Sequence, residues 1–172
     1  MACATTAHAE TTVDLPGGEK SVGQYYFNSF GEHAVISPAL NANGTGRTAW
    51  VSGNVTATAP TGTETEVEVG YIVGCQVDLE GLSADLGATI DLASPSLSAG
   101  LSVPLNAGEV KYSKITDLDL VDGAASIRYR DQGIEITGCG GYAQARSVVS
   151  VTTEDGPHRY SGSLYGQPFS IG

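Results

Sequence analysis

The chain has 172 residues with 8 basic against 19 acidic side chains, a net charge of −11. That length suits one domain with a real core, and the acid excess excludes a nucleic-acid binder that works by neutralising phosphates. Only 16% of residues are charged and 23 are glycine, and no run approaches the ~20 apolar residues of a membrane-spanning helix.

Ala7-His8-Ala9 before Glu10 matches the small-residue cleavage site of a secretory signal. Residues 1–9 therefore read as a signal-peptide remnant and 10–172 as a single domain, a disordered Ala/Thr-rich tail being the alternative for the first stretch. GEKSVGQYYFNSFGEH (18–33) fits either a short helix or strands with turns, and NANGTG (41–46) is a loop by composition. RTAWVSGNVTATA (47–59) predicts a strand pair with Trp50 as a core anchor, followed by a turn at Pro60-Thr61-Gly62-Thr63.

TETEVEVGYIVGCQVDLE (63–80) is the most regular strand. Val67, Val69, Tyr71, Val73, Cys75, Val77 and Leu79 share one parity, while Glu64, Glu66, Glu68, Asp78 and Glu80 share the other. One face is core and the other is wet and acidic. At Gly81 the parity flips, as a bulge would cause. Leu82, Ala84, Leu86, Ala88, Ile90 and Leu92 then alternate with Ser83, Asp85, Gly87, Thr89 and Asp91. After Ser94-Pro95 a second segment alternates Leu97, Ala99, Leu101, Val103, Leu105 and Ala107 with Ser98, Gly100, Ser102, Pro104 and Asn106.

GEVKYSKITDLDLVDG (108–123) reads as strand and turn. Leu118 and Leu120 alternate with Asp117 and Asp119, and the spacing does not fit an EF-hand calcium loop. SIRYR, GIEITGCGGYAQARSVVSVTT and HRYSGSLYGQPFSIG complete the series, with turns expected at Asp131-Gln132-Gly133 and at Glu154-Asp155-Gly156-Pro157. Many short strands without helical segments indicate an all-β, antiparallel sandwich. Cleavage after Ala9 would remove Cys3 and leave Cys75 and Cys139, which in an exported chain is most simply a disulfide; two buried thiols are the alternative.

Nothing marks a catalyst. His8, His33 and His158 lack ligand spacing, and H-E-x-x-H, paired C-x-x-C and G-x-S-x-G motifs are absent. No metal or cofactor is implied.

The two alternating segments form a hairpin with competing readings. It covers a soluble sandwich, or it crosses a membrane as two strands; the four-residue spacing of Leu82, Leu86 and Ile90 also touches a helical pattern, against Gly87, Thr89, Gly100 and Pro104. Each half holds eleven residues, and at ~3.3 Å per residue and ~40° of tilt such a strand covers about 28 Å, close to a hydrocarbon core. The apolar parity carries no charge, and the other carries only small or acidic residues and Pro104. Leu82, Leu86, Ile90, Leu92, Leu97, Leu101, Val103 and Leu105 would face lipid, and Ser83, Asp85, Thr89, Asp91, Ser98 and Ser102 a lumen. Against this stand Pro104 and the absence of Trp, Tyr or Phe from 81–107. One hairpin cannot close a barrel, so the membrane reading requires a homo-oligomer.

These segments resemble the MspA family of mycobacterial-type porins. VEVGYIVG (67–74) looks like the strand leading into that family's stem, and LSAGLSVPLNAGEV (97–110) like the returning stem strand. GRTAWVSGNVTATAPTG (46–62), QARSVVSVTTEDG (144–156) and YGQPFSIG (165–172) extend the similarity over most of the chain. The resemblance implies a goblet-shaped octamer in the mycolic-acid outer membrane of an actinobacterium, passing small hydrophilic solutes and favouring cations. It divides the domain into a sandwich and vestibule (10–80 and 108–172) and a stem hairpin (81–107). Glu64, Glu66, Glu68, Asp78 and Glu80 would then line the vestibule, and a Cys75–Cys139 bridge would brace the base of the stem. The adjacent aspartates that form the family's constriction have no counterpart here, because Ala93-Ser94-Pro95-Ser96 closes the tip. Asp91 is the nearest acid to that tip and Asp85 lies further back. The rival class is a secreted sandwich whose hairpin serves self-association without entering a membrane.

Overall fold

A computed structural model describes residues 10–37, 46–76, 101–104, 110–139 and 141–172. Among these residues every regular element is a strand: β1 (Thr11–Leu15), β2 (Gly18–Val22), β3 (Tyr25–Ser37), β4 (Arg47–Thr58), β5 (Glu64–Cys75), β6 (Leu101–Pro104), β7 (Val110–Asp119), β8 (Ala124–Thr137), β9 (Ala143–Asp155), β10 (His158–Tyr165) and β11 (Phe169–Ser170). The Val, Ile, Thr and Tyr content of β5, β8 and β9 favours this, since branched and aromatic side chains fit a pleated, half-buried surface.

The strands form two sheets. The first has the order β1-β3-β4-β8-β6, with β2 also on β3; the second has the order β10-β9-β5-β7, with β11 also on β9. All pairings are antiparallel except that of β6, which runs parallel beside β8. The core lies between the sheets. Phe27, Ala34, Val51, Val55, Ile134 and Ile136 supply it from one side, and Val67, Val69, Tyr71, Val73 and Val149 from the other. The alternation in β5 therefore emerges as read: Val67, Val69, Tyr71, Val73 and Cys75 are buried, and Glu64, Glu66 and Glu68 take the outer face.

Four local expectations are revised or decided. Residues 18–33 are strands, with β2 and β3 joined by a turn at Gly23-Gln24. Residues 47–58 are one strand instead of a pair. Asp131-Gln132-Gly133 is not a turn, because β8 runs through it. The register against β4 shifts there, with Val51 opposite Gln132 and Gly53 opposite Tyr129, so the glycine and polar residues serve a bulge. The fourth is Trp50, which is 39% exposed. It has the opposite parity to buried Ala49 and Val51, and its ring fills the space beside its register partner Gly133 on the outer face.

The hairpin range is only partly described. Leu101–Pro104, expected in the returning stem strand, pair residue by residue with Ile134–Thr137 of the first sheet, so these four residues extend the sandwich. Residues 1–9, 77–100 and 105–109 lie outside the described set, and with them the signal remnant and the rest of the stem.

Cys75 and Cys139 form a disulfide with Cα atoms 5.9 Å apart, joining the end of β5 in one sheet to the chain just beyond β8 in the other. Both cysteines are buried. With a sequence separation of 64, the closed loop is worth about 4 kcal/mol on the chain-entropy model. Reduction, or Cys75→Ser with Cys139→Ser, should lower stability by about that amount in denaturant melts run with and without dithiothreitol. Coincident melts would show that the bond adds nothing.

Candidate functional site

The end of the sandwich that carries the disulfide is also where the alternating segment leaves and returns. β5 stops at Cys75, and the Gln76 amide donates to the Tyr142 carbonyl at 2.9 Å. The chain is back in the first sheet at Leu101, opposite Ile134, and enters the second at Val110, opposite Gly74. The covalent tie between the sheets thus sits at the root, where the segment leaves β5.

The outer face of the second sheet grades from this root to its far end. Along β5 the cross-strand partners run Gly74–Val110, Ile72–Tyr112, Gly70–Lys114, Glu68–Asp117 and Glu66–Asp119, and on the other side Glu64 faces Glu154. Near the root the residues are apolar or aromatic; away from it they are acids. Lys114 lies within the acidic half, 3.1 Å from both Glu68 and Asp117, and Arg159 pairs with Glu154 at 3.4 Å. Lys114 holds Asp117 below the usual carboxylate range, whereas the hydrogen bond with Asp117 is the main influence holding Glu66 above it. Opposite shifts on two neighbouring carboxyls are the mark of crowded like charge beside one cation. A cleft of about 420 Å³ opens here between Glu64, Glu66, Asp119, Thr152 and Arg159. Among the described residues no group of three or more His, Cys, Asp or Glu is arranged to hold a metal ion.

A second polar group lies in the core. Glu32 is 3% exposed, although flanking Gly31 and His33 are not buried. The β3–β4 register shifts between Phe30 and His33, and Gly31 takes φ 60°, a conformation that glycine adopts without a Cβ penalty. The bulge turns the Glu32 side chain inward. Its two oxygens accept hydrogen bonds from Tyr71 Oη at 2.8 Å and Ser147 Oγ at 2.8 Å, and Tyr71 Oη lies 3.0 Å from Tyr129 Oη. Glu32 and Tyr129 come from one sheet, Tyr71 and Ser147 from the other, so the cluster bolts the layers together. Burial raises the Glu32 carboxyl above its ordinary value, against the hydrogen bonds from Tyr71 and Ser147, which favour the ion. Burial likewise pushes both tyrosines up. The sequence signal for Glu32 was faint: an isolated acid after glycine in a segment of uncertain type.

Of the residues singled out from the sequence, Glu64, Glu66 and Glu68 are brought onto one face and Cys75 and Cys139 are bonded. Leu101, Ser102 and Val103 lie in β6. Asp78, Glu80, Leu82, Ser83, Asp85, Leu86, Thr89, Ile90, Asp91, Leu92, Leu97, Ser98 and Leu105 fall outside the described residues.

Comparison with known proteins gives one family: its model, described as MspA, matches residues 27–170. No curated protein matches the chain.

The Glu32 cluster makes stability depend on pH in a defined direction. A carboxyl whose pKa is higher in the folded than in the unfolded chain stabilises most below its unfolded value of 4.5 and loses that contribution as pH rises through the folded value. The difference in unfolding free energy between the wild type and Glu32→Gln should therefore shift against the wild type as pH rises from 4.5. Parallel stability curves for the two proteins would contradict this.

Proposed function

The chain belongs to the MspA family, whose members are outer-membrane porins and not enzymes, and on that premise we propose that it is one subunit of an oligomeric, water-filled channel. The match over 27–170 carries the proposal, because it takes in most of both sheets and the whole alternating segment between them. Since Leu101–Pro104 pair with β8 in the sandwich, each subunit contributes the part of the hairpin that precedes β6 to a shared barrel, the family's octamer being the assembly taken here. The barrel passes small hydrophilic solutes across a mycolic-acid type outer membrane. Leu82, Leu86, Ile90, Leu92 and Leu97 face lipid, and Ser83, Thr89 and Ser98 face water with Asp85 and Asp91.

Cation preference follows from charge. Asp85 and Asp91, repeated around a ring, place concentric negative charge in a lumen where low-dielectric walls focus the field. Glu64, Glu66 and Glu68 lie at the end of the sandwich away from the hairpin root, and there they make the mouth of the vestibule acidic. With no adjacent aspartate pair at Ala93-Ser94-Pro95-Ser96, selectivity rests on isolated wall aspartates instead of a tip constriction.

A second reading, a secreted sandwich that self-associates through its hairpin, draws on Pro104 and on the absence of Trp, Tyr and Phe from 81–107. Purification in detergent followed by planar-bilayer recording separates the two. A detergent-stable ring that conducts supports the channel, and a monomer that stays soluble without detergent and never conducts refutes it. In conducting rings, Asp85→Asn with Asp91→Asn should move the reversal potential in a salt gradient toward the non-selective value. An unmoved reversal potential would remove these two residues from the selectivity mechanism.

A further inference from the structure

The outer face of the second sheet carries more exposed apolar area near the hairpin root than the fold requires. Val110 is 63% exposed and Tyr142 49%, and Tyr112 and Tyr165 are about half exposed. Val110 and Tyr142 border a groove of about 490 Å³ whose other walls include Ile72, Arg146 and Pro168; Tyr112 lies opposite Ile72 and Tyr165 beneath Arg146. The core lies on the opposite side of this sheet, so none of these side chains is needed to fill it. The Tyr112 ring covers Gly70, where a Cβ would collide with it, so glycine there lets the ring lie flat on the sheet.

The charge on this face is sorted by position. Glu64, Glu66, Asp119 and Glu154 line the cleft at the far end. Among the described residues the walls of the groove at the root carry no acid, and their one charged residue is Arg146. Arg146 stacks over the Tyr165 ring at 5.0 Å and donates to the Gly166 carbonyl. Among the described residues the acids of this face thus lie away from the root, and a surface that meets a layer of lipid phosphates calls for that placement, since like charges there repel while arginine is attracted.

We propose that this groove and its tyrosines are a collar that seats the sandwich on the lipid headgroups around the inserted hairpin. The partner is the interfacial layer of the bilayer. Tyrosine suits it, because its ring enters the apolar boundary while its hydroxyl stays wet. The collar also supplies what the hairpin lacks: 81–107 contain no Trp, Tyr or Phe, the residues that ordinarily anchor membrane strands at their ends. Here the anchoring aromatics sit on the sandwich where the segment leaves it, with Tyr142 bonded through its carbonyl to Gln76 and Val110 opposite Gly74. The inference rests on the channel reading.

The test uses the full chain reconstituted in phosphatidylcholine vesicles that conduct. Trp50→Phe removes the single native indole, and Tyr142→Trp then places one in the collar; Val110→Trp does the same across the groove, should the first variant fail to fold. Lipids brominated near the headgroup end of their chains are expected to quench the emission of either indole strongly, and more than lipids brominated at the bilayer centre. A Glu64→Trp control at the far end should be unaffected by both. Conducting vesicles in which the collar indole is untouched by brominated lipid would overturn the proposal. Quenching by aqueous iodide would then place the groove in water, and protection from iodide would place it against a neighbouring copy. Vesicles that never conduct with the wild-type chain would instead bring down the channel reading itself.

Discussion

A sandwich that sends a long segment out of one end has to keep its two layers together at that end, and the Cys75–Cys139 bond meets this constraint. It ties the last residue of β5 in one sheet to the chain immediately after β8 in the other. The strands beside it then have fixed places. Gln76 is held to Tyr142, β7 begins opposite Gly74, and β6 lies parallel against the last residues of β8. The backbone hydrogen bonds of the strands run within each sheet and do little against a force that separates the layers; a covalent cross-link resists it directly.

Further into the core the layers are held by a polar device. The Glu32 carboxylate accepts from Tyr71 and Ser147 across the sheets, in an interior made largely of Val, Ile, Ala and aromatic side chains. Burying a carboxylate is costly, and its hydrogen bonds compensate only in part, as its raised pKa records. What such a cluster gives in return is specificity of alignment: the sheets can slide over apolar contacts at little cost, but not past a pair of short, directed hydrogen bonds.

The sequence made legible those elements whose two faces meet different solvents. β5 alternates apolar and acidic residues, and its burial follows that alternation through Cys75. The turns at Thr61–Thr63 and Gly156-Pro157 carry their usual residues and occur where read. Legibility failed at the bulges. An extra residue in β3 and another in β8 flank the same stretch of β4, and Ser52 Oγ accepts from the Asp131 amide there. A glycine at such a place looks like the end of a strand, so β4 read as two strands and β8 as a turn. The same offset inverted the parity that would have marked Glu32 as buried. Trp50 misled for another reason, since residue type was weighed above parity.

The offsets on either side of β4 also bear on how this chain can change in length. β3 and β8 each carry one residue more than the β4 stretch they face. Losing Gly31 alone would straighten β3 and leave Ser29, Glu32 and Ala34, all buried, on one simple alternation, so the carboxylate would keep its inward parity. β8 would still carry its surplus opposite Val51–Gly53. A matching loss in β8 would restore the equality of strand lengths. Insertions and deletions in the middle of the first sheet are therefore coupled between β3 and β8, while those in the turn at Gly156-Pro157 are free of that coupling. Evolutionary drift in length should concentrate in the latter.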